Sequence, residues 1–220
     1  MFQNKHRRCN KKNLSCTEGF THFTRLTKNT QPFLTEQELV YGLRNGEAAA
    51  FKELVLRFQD RVFNTSLGLL QHSTDAEDIA QEVFIQVYRS IHQFKEAALL
   101  STWIYKITTT KCLDHLRSKK RKKRFGFVSS LFGADNTPVH EPEEFNHPGV
   151  QLDRKEDAAI LFKLVDQLPE NQRTAFILNK VEELSYREIA AILNTSEPAV
   201  DALLQRAKQN LRKKINELPP

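Results

Sequence analysis

From residue 47 onward, apolar residues return every three or four positions, a period that a β-strand cannot use. In EAAAFKELVLRFQDRVFNTSLGLL, Phe51, Leu54, Val55, Phe58, Val62 and Phe63 form one stripe of a long amphipathic helix. A shorter helix precedes it: TEQE at 35–38 sets Thr35 and Glu38 at capping-box spacing, so that helix starts near residue 36. STDAEDIAQEVFIQVYRSI begins a third, with Ser73 or Thr74 as cap and acids in the first turn, where the helix dipole favours them. Its inward stripe is Ile79, Val83, Val87 and Ile91. A fourth helix is expected from Ser101, with Trp103, Ile104, Ile107, Leu113 and Leu116 facing in. One helical domain, residues 36–125, follows.

The period lapses over residues 126–154, GFVSSLFGADNTPVHEPEEFNHPGVQLDR, where Gly, Pro, Asn and acids gather. So long a connection is unusual inside one compact domain, so the stretch reads as a flexible acidic linker between two. The period then returns across residues 155–218. There SYRE is a second capping box, Ser185 with Glu188, opening a short helix that stops near Asn194. Thr195 or Ser196 caps the next helix, whose first turn tolerates Pro198. A short helix, a tight turn and a longer basic helix spell a helix-turn-helix. With only seven glycines and eight prolines in 220 residues, the chain lacks the turn chemistry of an all-β fold. The expected fold is all-α: two small helical domains, four helices in the first and a helix-turn-helix in the second.

Charge is placed unevenly. Residues 1–35 hold seven cations against Glu18 and read as a poorly ordered basic extension. Residues 117–124, RSKKRKKR, hold seven cations in eight positions, and residues 125–157 hold seven acids against Arg154 and Lys155. Three cysteines without a paired pattern fit a reducing, cytoplasmic compartment. No apolar run approaches the ~18 residues of a membrane span, and no apolar core of a signal peptide follows the basic N-terminus.

Cations suit the C-terminal end of a helix, which gives the basic block a bland explanation. Seven side by side, however, repel one another unless a polyanion lies alongside, and nucleic acid is the polyanion that fits. Nearby Phe94, Trp103 and Tyr105 are candidates to stack on unpaired bases, with core packing as the alternative. On the last helix Arg206, Lys208, Arg212, Lys213 and Lys214 favour DNA, whereas Glu197 and Asp201 put negative charge at the end that would enter a groove. Apart from His72, the acids of DAEDIAQE have no His or Cys near them in the sequence, so surface acids or a basic protein partner suit them better than a metal. Cys9, Cys16, His6 and His22 lack zinc-ligand spacing. No phosphate loop and no nucleophile–base pattern stands out, so neither catalysis nor a cofactor is expected.

The order of these features resembles the bacterial sigma-70 family of RNA polymerase sigma factors, in the extracytoplasmic-function (ECF) group that keeps only regions 2 and 4. DAEDIAQEVFIQVYRSIHQF, STWIYKITTTKCLDHLR, LPENQRTAFILNKVEELSYREIAAIL and AVDALLQRAK carry the likeness, over roughly residues 36–216. It implies a non-enzymatic factor that binds the β′ and β subunits of core polymerase, directs it to −10 and −35 promoter elements and assists melting. An anti-sigma factor is a further partner the family suggests. Asp75, Glu77, Asp78, Gln81 and Glu82 match the surface that grips the β′ clamp helices. Phe94 and Lys95 fall in the loop, 94–100, that receives a flipped −10 base. Lys106, Lys111, Arg117, Lys119 and Lys120 match the −10 DNA face, and Tyr186, Arg187, Ser196, Gln205, Arg206 and Lys208 match the −35 face. The sequence departs from the family pattern at Thr110, where Asn is usual, and at Asp201 and Leu203, where basic residues are frequent. The rival readings are a stand-alone helix-turn-helix DNA-binding regulator and an RNA-binding adaptor. The regulator leaves the acidic DAEDIAQE surface without a role.

Overall fold

The computed structural model describes residues 34–217, apart from Ala97 and residues 133–154; for 123–132 and 155–159 it describes the helical backbone alone. The basic extension up to residue 33 and most of the expected linker therefore lie outside the described residues.

Helix α1, Glu36–Arg44, begins at the Thr35 capping box: the Glu38 amide donates to Thr35 Oγ1 (3.3 Å) and the Thr35 amide to Glu38 Oε2 (2.7 Å). Gly46, with φ +73°, turns the chain into α2, Ala48–Leu70. A Cβ on Gly42 would stand 2.8 Å from that of Ala50, so glycine lets the two helices approach closely. Helix α3 spans Ser73–Ser90 and tightens into a 3₁₀ turn at Ile91–Gln93. Its cap is His72, whose Nδ1 accepts from the Asp75 amide at 3.2 Å, and not Ser73 or Thr74 as the sequence suggests. Imidazole nitrogen does here what a hydroxyl usually does.

Helix α4 runs from Leu100 to Phe132, seven residues into the stretch read as linker. The first proline after the basic block is Pro138, so nothing before it removes a backbone donor, and one glycine, Gly126, does not break the helix. Four helices follow: α5 Lys155–Asp166, α6 Glu170–Lys180, α7 Tyr186–Leu193 and α8 Glu197–Asn216.

Leu39, Leu43, Leu54, Ile79, Val83, Val87, Ile91 and Ile104 are all buried in one cluster, as the helical period requires. Phe51, Val55 and Phe58 pack against that cluster from half-buried positions. Phe162 and Val165 of α5, with Leu168 in the turn that follows it, belong to the same cluster. Conversely, Tyr105 of α4 is buried with Leu178, Ile189, Val200 and Leu204 in the core of the helix-turn-helix. The two helical halves therefore share side chains. At about 1.5–3 kcal/mol for each fully buried large apolar side chain, that exchange is a substantial docking force.

Candidate polymerase and promoter interfaces

The acidic face sits on the first turns of α3. Glu77, Asp78, Gln81 and Glu82 are exposed, while Asp75 is half-buried and turned to internal use. One oxygen of Asp75 meets Lys119 Nζ at 2.8 Å and His115 Nε2 at 3.3 Å, both from α4. Burial pushes the Asp75 carboxyl up, but the bond and charge of Lys119, with His72 and His115, outweigh it and hold the group below the usual range. Glu82 pairs with Lys111 at 3.0 Å while its side chain stays 55% exposed, so it remains available to a partner.

Helix α4 carries the expected −10 residues along its length. Lys106 is exposed on two grooves. The first, of about 630 Å³, lies between α3 and α4 and is lined by Ile79, Gln86, Trp103, Ile107 and Thr110 as well as Lys106. The second, of about 470 Å³, lies between α4 and the helix-turn-helix, where Lys106, Thr110 and Arg117 stand opposite Asn194, Thr195 and Leu203. Lys120 Nζ contacts Glu170 Oε1 at 2.8 Å and Arg117 Nε contacts Glu170 Oε2 at 3.6 Å. The Lys120 hydrogen bond and charge, with Arg117 and Arg173, hold the Glu170 carboxyl below its usual range against a smaller burial effect. Arg121 and Lys122 are exposed. The structure thus sets Lys111, Arg117, Lys119 and Lys120 each beside a carboxylate.

The candidate base-stacking aromatics are largely used for packing. Phe94 is 4% exposed and lies with its ring centroid 5.2 Å from that of Trp103. Its carbonyl accepts from Arg44 at 2.9 Å, which fixes the loop to α1. Lys95 next to it is exposed. Tyr105 is 6% exposed, and its hydroxyl donates to Glu182 Oε2 at 2.8 Å.

In the C-terminal half, Ser185 and Glu188 complete their capping box and Asn194 takes the left-handed conformation, φ 53°, that stops α7. Ser196 Oγ accepts from the Ala199 amide at 3.4 Å and starts α8. Arg187, Ser196, Gln205, Arg206 and Lys208 are exposed, and Tyr186 is half-buried against the local core. Asp201 accepts from Gln205 Nε2 at 2.9 Å. This charged neighbour, at a position where the resemblance expects a base, pre-orients a residue expected to read DNA.

Sequence reasoning missed Glu170 and Glu182, because their partners on α4 lie 50 and 77 residues away. Among the described residues no three His, Cys, Asp or Glu side chains gather as a metal site. The Cys9, Cys16, His6 and His22 group lies outside them. No described helix is long and apolar enough to cross a membrane.

Comparison with known proteins agrees with this layout. The family model for sigma-70 region 2 matches residues 54–122, and that for sigma-70 region 4 matches residues 158–211. The chain is 28% identical to the RNA polymerase sigma-H factor of Pseudomonas aeruginosa over 83% of its own length and 95% of that protein. It is 29% identical to the ECF RNA polymerase sigma-E factor of Escherichia coli K12, over 84% of the chain and 96% of the relative. Among solved structures, CnrH in complex with the cytosolic domain of CnrY is similar in fold, with TM-score 0.59, 18% identity, and coverage of 84% of this chain and 99% of that one. The sigma factor RpoE of Bartonella quintana, solved with the anti-sigma factor NepR, aligns with TM-score 0.54 and 20% identity over 76% of this chain and 96% of its own. With a region 2 match on the α2–α4 helices and a region 4 match on the helix-turn-helix half, the chain belongs to the sigma-70 family of RNA polymerase sigma factors, in its extracytoplasmic-function group.

Proposed function

We propose that the chain works in the cytoplasm as a promoter-specificity subunit: it binds core polymerase, directs it to −10 and −35 elements, and assists melting without catalysis of its own. The observation that carries this is the pairing, in one chain and in order, of region 2 over residues 54–122 and region 4 over residues 158–211. Glu77, Asp78, Gln81 and Glu82 would form the polymerase contact, with Asp75 bracing that turn through Lys119 and His115. Lys106, Lys111, Arg117, Lys119 and Lys120 would hold −10 phosphates, contacts that supply affinity without reading sequence. Phe94 and Lys95 would act where the non-template strand leaves the duplex, which requires the Phe94 loop to open. Arg187, Ser196, Gln205, Arg206 and Lys208, with Tyr186 beside them, would meet the −35 duplex. An anti-sigma factor is a further partner in this reading, supported by the RpoE structure of similar fold, which was solved with one.

The test is capture of purified bacterial core polymerase by the tagged full chain, with Asp78→Lys/Glu82→Lys as comparison. Capture by wild type and its loss in the double variant is expected. Duplex DNA binding by a chain that leaves active core polymerase unbound would instead make it a stand-alone regulator.

A further inference from the structure

Helix α8 buries Val200, Leu204, Ala207 and Leu211. One residue on, Asp201, Gln205, Lys208 and Arg212 repeat the same spacing and form a second ridge along the helix. Gln205, Lys208 and Arg212 are exposed and Asp201 is half-buried. Leu203 lies across the helix from this ridge and lines the groove against α4, so the ridge is turned away from that groove. The N-terminal part of a recognition helix is the part that reaches base edges, and here it carries acceptors, with the two cations following. Glu197 is in the first turn of α8, where the helix dipole alone accounts for an acid. Asp201 lies past that turn. The only side chain it pairs with among the described residues is Gln205, whose Nε2 donates to Asp201 Oδ2 at 2.9 Å.

We infer that Asp201 is a specificity-determining residue that selects a C·G base pair in the duplex α8 enters, with Gln205 held beside it as a second acceptor. That this duplex is a −35 element rests on the sigma-factor reading; the base preference does not. A carboxylate can only accept hydrogen bonds, so the Gln205 amide turns its NH2 group toward it and leaves its own Oε1 facing outward. Asp201 Oδ1 and Gln205 Oε1 are then two neighbouring acceptors with no donor between them. In the major groove guanine shows two acceptors, N7 and O6, and thymine shows O4 and a methyl group, so neither edge answers this pair. Adenine offers its N6 amino group but sets the N7 acceptor next to it. Cytosine offers its N4 amino group alone, and it is the edge that fits. Lys208 and Arg212, further along the ridge, reach phosphates and add affinity without choosing a sequence. The acid lowers affinity for every duplex and lowers it least where an amino group meets it, so it works by rejection as much as by attraction.

The test is selection from a pool of linear duplexes randomised over the −35 region, sequenced before and after binding. The full chain is used twice, alone and assembled with purified bacterial core polymerase. Wild type should enrich a C·G pair at one position, and Asp201→Ala should lose about 5-fold or more of the preference at that position alone. Asp201→Asn places a donor beside the acceptor, the pattern that matches adenine, so an A·T pair should gain at the same position. Lys208→Ala should weaken binding evenly across sequences and leave the preference intact. Base preference is a readout that a merely structural Asp201 would not move. An Asp201→Ala profile that matches wild type, or one that weakens all sequences alike, overturns the inference. So does a wild-type preference for an A·T pair at the Asp201-dependent position, or no enrichment in either format. A chain that enriches the Asp201-dependent C·G pair alone but never assembles with core leaves the inference standing and removes its promoter meaning.

Discussion

Tyr105 and Glu182 lend themselves to a quantitative test, because burial and hydrogen bonding act on this pair in opposite directions. Burial pushes the Glu182 carboxyl above its ordinary value, and the Tyr105 and Thr65 hydroxyls with the Arg61 charge pull it back without cancelling the effect. The buried Thr65 hydroxyl stands near this carboxyl but makes no hydrogen bond of ordinary geometry, so Tyr105 is its principal donor. Burial, with the Glu182 charge and hydrogen bond, raises Tyr105 as well, so the hydroxyl keeps its proton throughout the working range. A hydrogen bond to a charged group contributes about 1.5–3 kcal/mol. Glu182 is only half-buried, so water partly replaces a lost donor and the lower figure applies. Tyr105→Phe should then cost about 1.5 kcal/mol, a fall in Tm of about 3–6 °C for a chain this size.

Glu182→Gln should do the reverse. Because the folded state binds the Glu182 proton more tightly than the unfolded chain, this group's contribution is most favourable below the unfolded value, about 4.3. It is lost as pH rises through the raised folded value. At neutral pH the charged carboxylate is a net cost, which glutamine removes while keeping an acceptor. Tm at about pH 7.5 should rise in Glu182→Gln, and the gap from wild type should close as pH falls toward about 4. In the Tyr105→Phe background the gain should be larger, since the charge there has lost its donor. Thermal unfolding of the four proteins across pH gives all of these quantities. A Glu182→Gln variant that is less stable than wild type at neutral pH, or a gap that does not change with pH, refutes the reasoning.

Two further outcomes follow from side chains that act locally. Asp75 is held below the usual carboxylate range, so its stabilisation is present above the unfolded value, about 3.9, and disappears as pH falls through the folded value. Asp75→Asn should lose about 1 kcal/mol in urea unfolding at neutral pH, a figure already reduced for partial exposure, and should converge on wild type in acid. Ser185→Ala should cost about 1 kcal/mol by opening one side of the capping box, and amide exchange should quicken in the first turn of α7 before it does in α8.

What could be read from the sequence was what the chain decides within a few residues. The two capping boxes form because donor and acceptor are three positions apart. The stripe Ile79, Val83 and Val87, continued by Ile91 in the following 3₁₀ turn, is buried because α3 has one inward face. The His72 cap escaped notice because imidazole is not a customary N-cap, although its spacing from Asp75 is the ordinary one. Helix α4 is different in kind. The expected stripe of Trp103, Ile104, Ile107, Leu113 and Leu116 describes a helix with one neighbour, whereas α4 packs on α2, α3 and α7. Its most buried positions include Tyr105, Thr108, Thr109 and Cys112, none of them prominent in an apolar count. Thr108 satisfies its hydroxyl on the Ile104 carbonyl at 2.9 Å, and burial pushes the Cys112 thiol up to about 12, so both serve as small fillers where helices come close. A helix covered on several sides loses one-sided periodicity, and the loss is itself the signal. Thr108, Thr109 and Cys112, small residues buried beside the apolar stripe of α4, mark the place where a second layer of helices docks. In this chain that layer is the DNA-binding half, set against the helix through which the other half is expected to hold DNA.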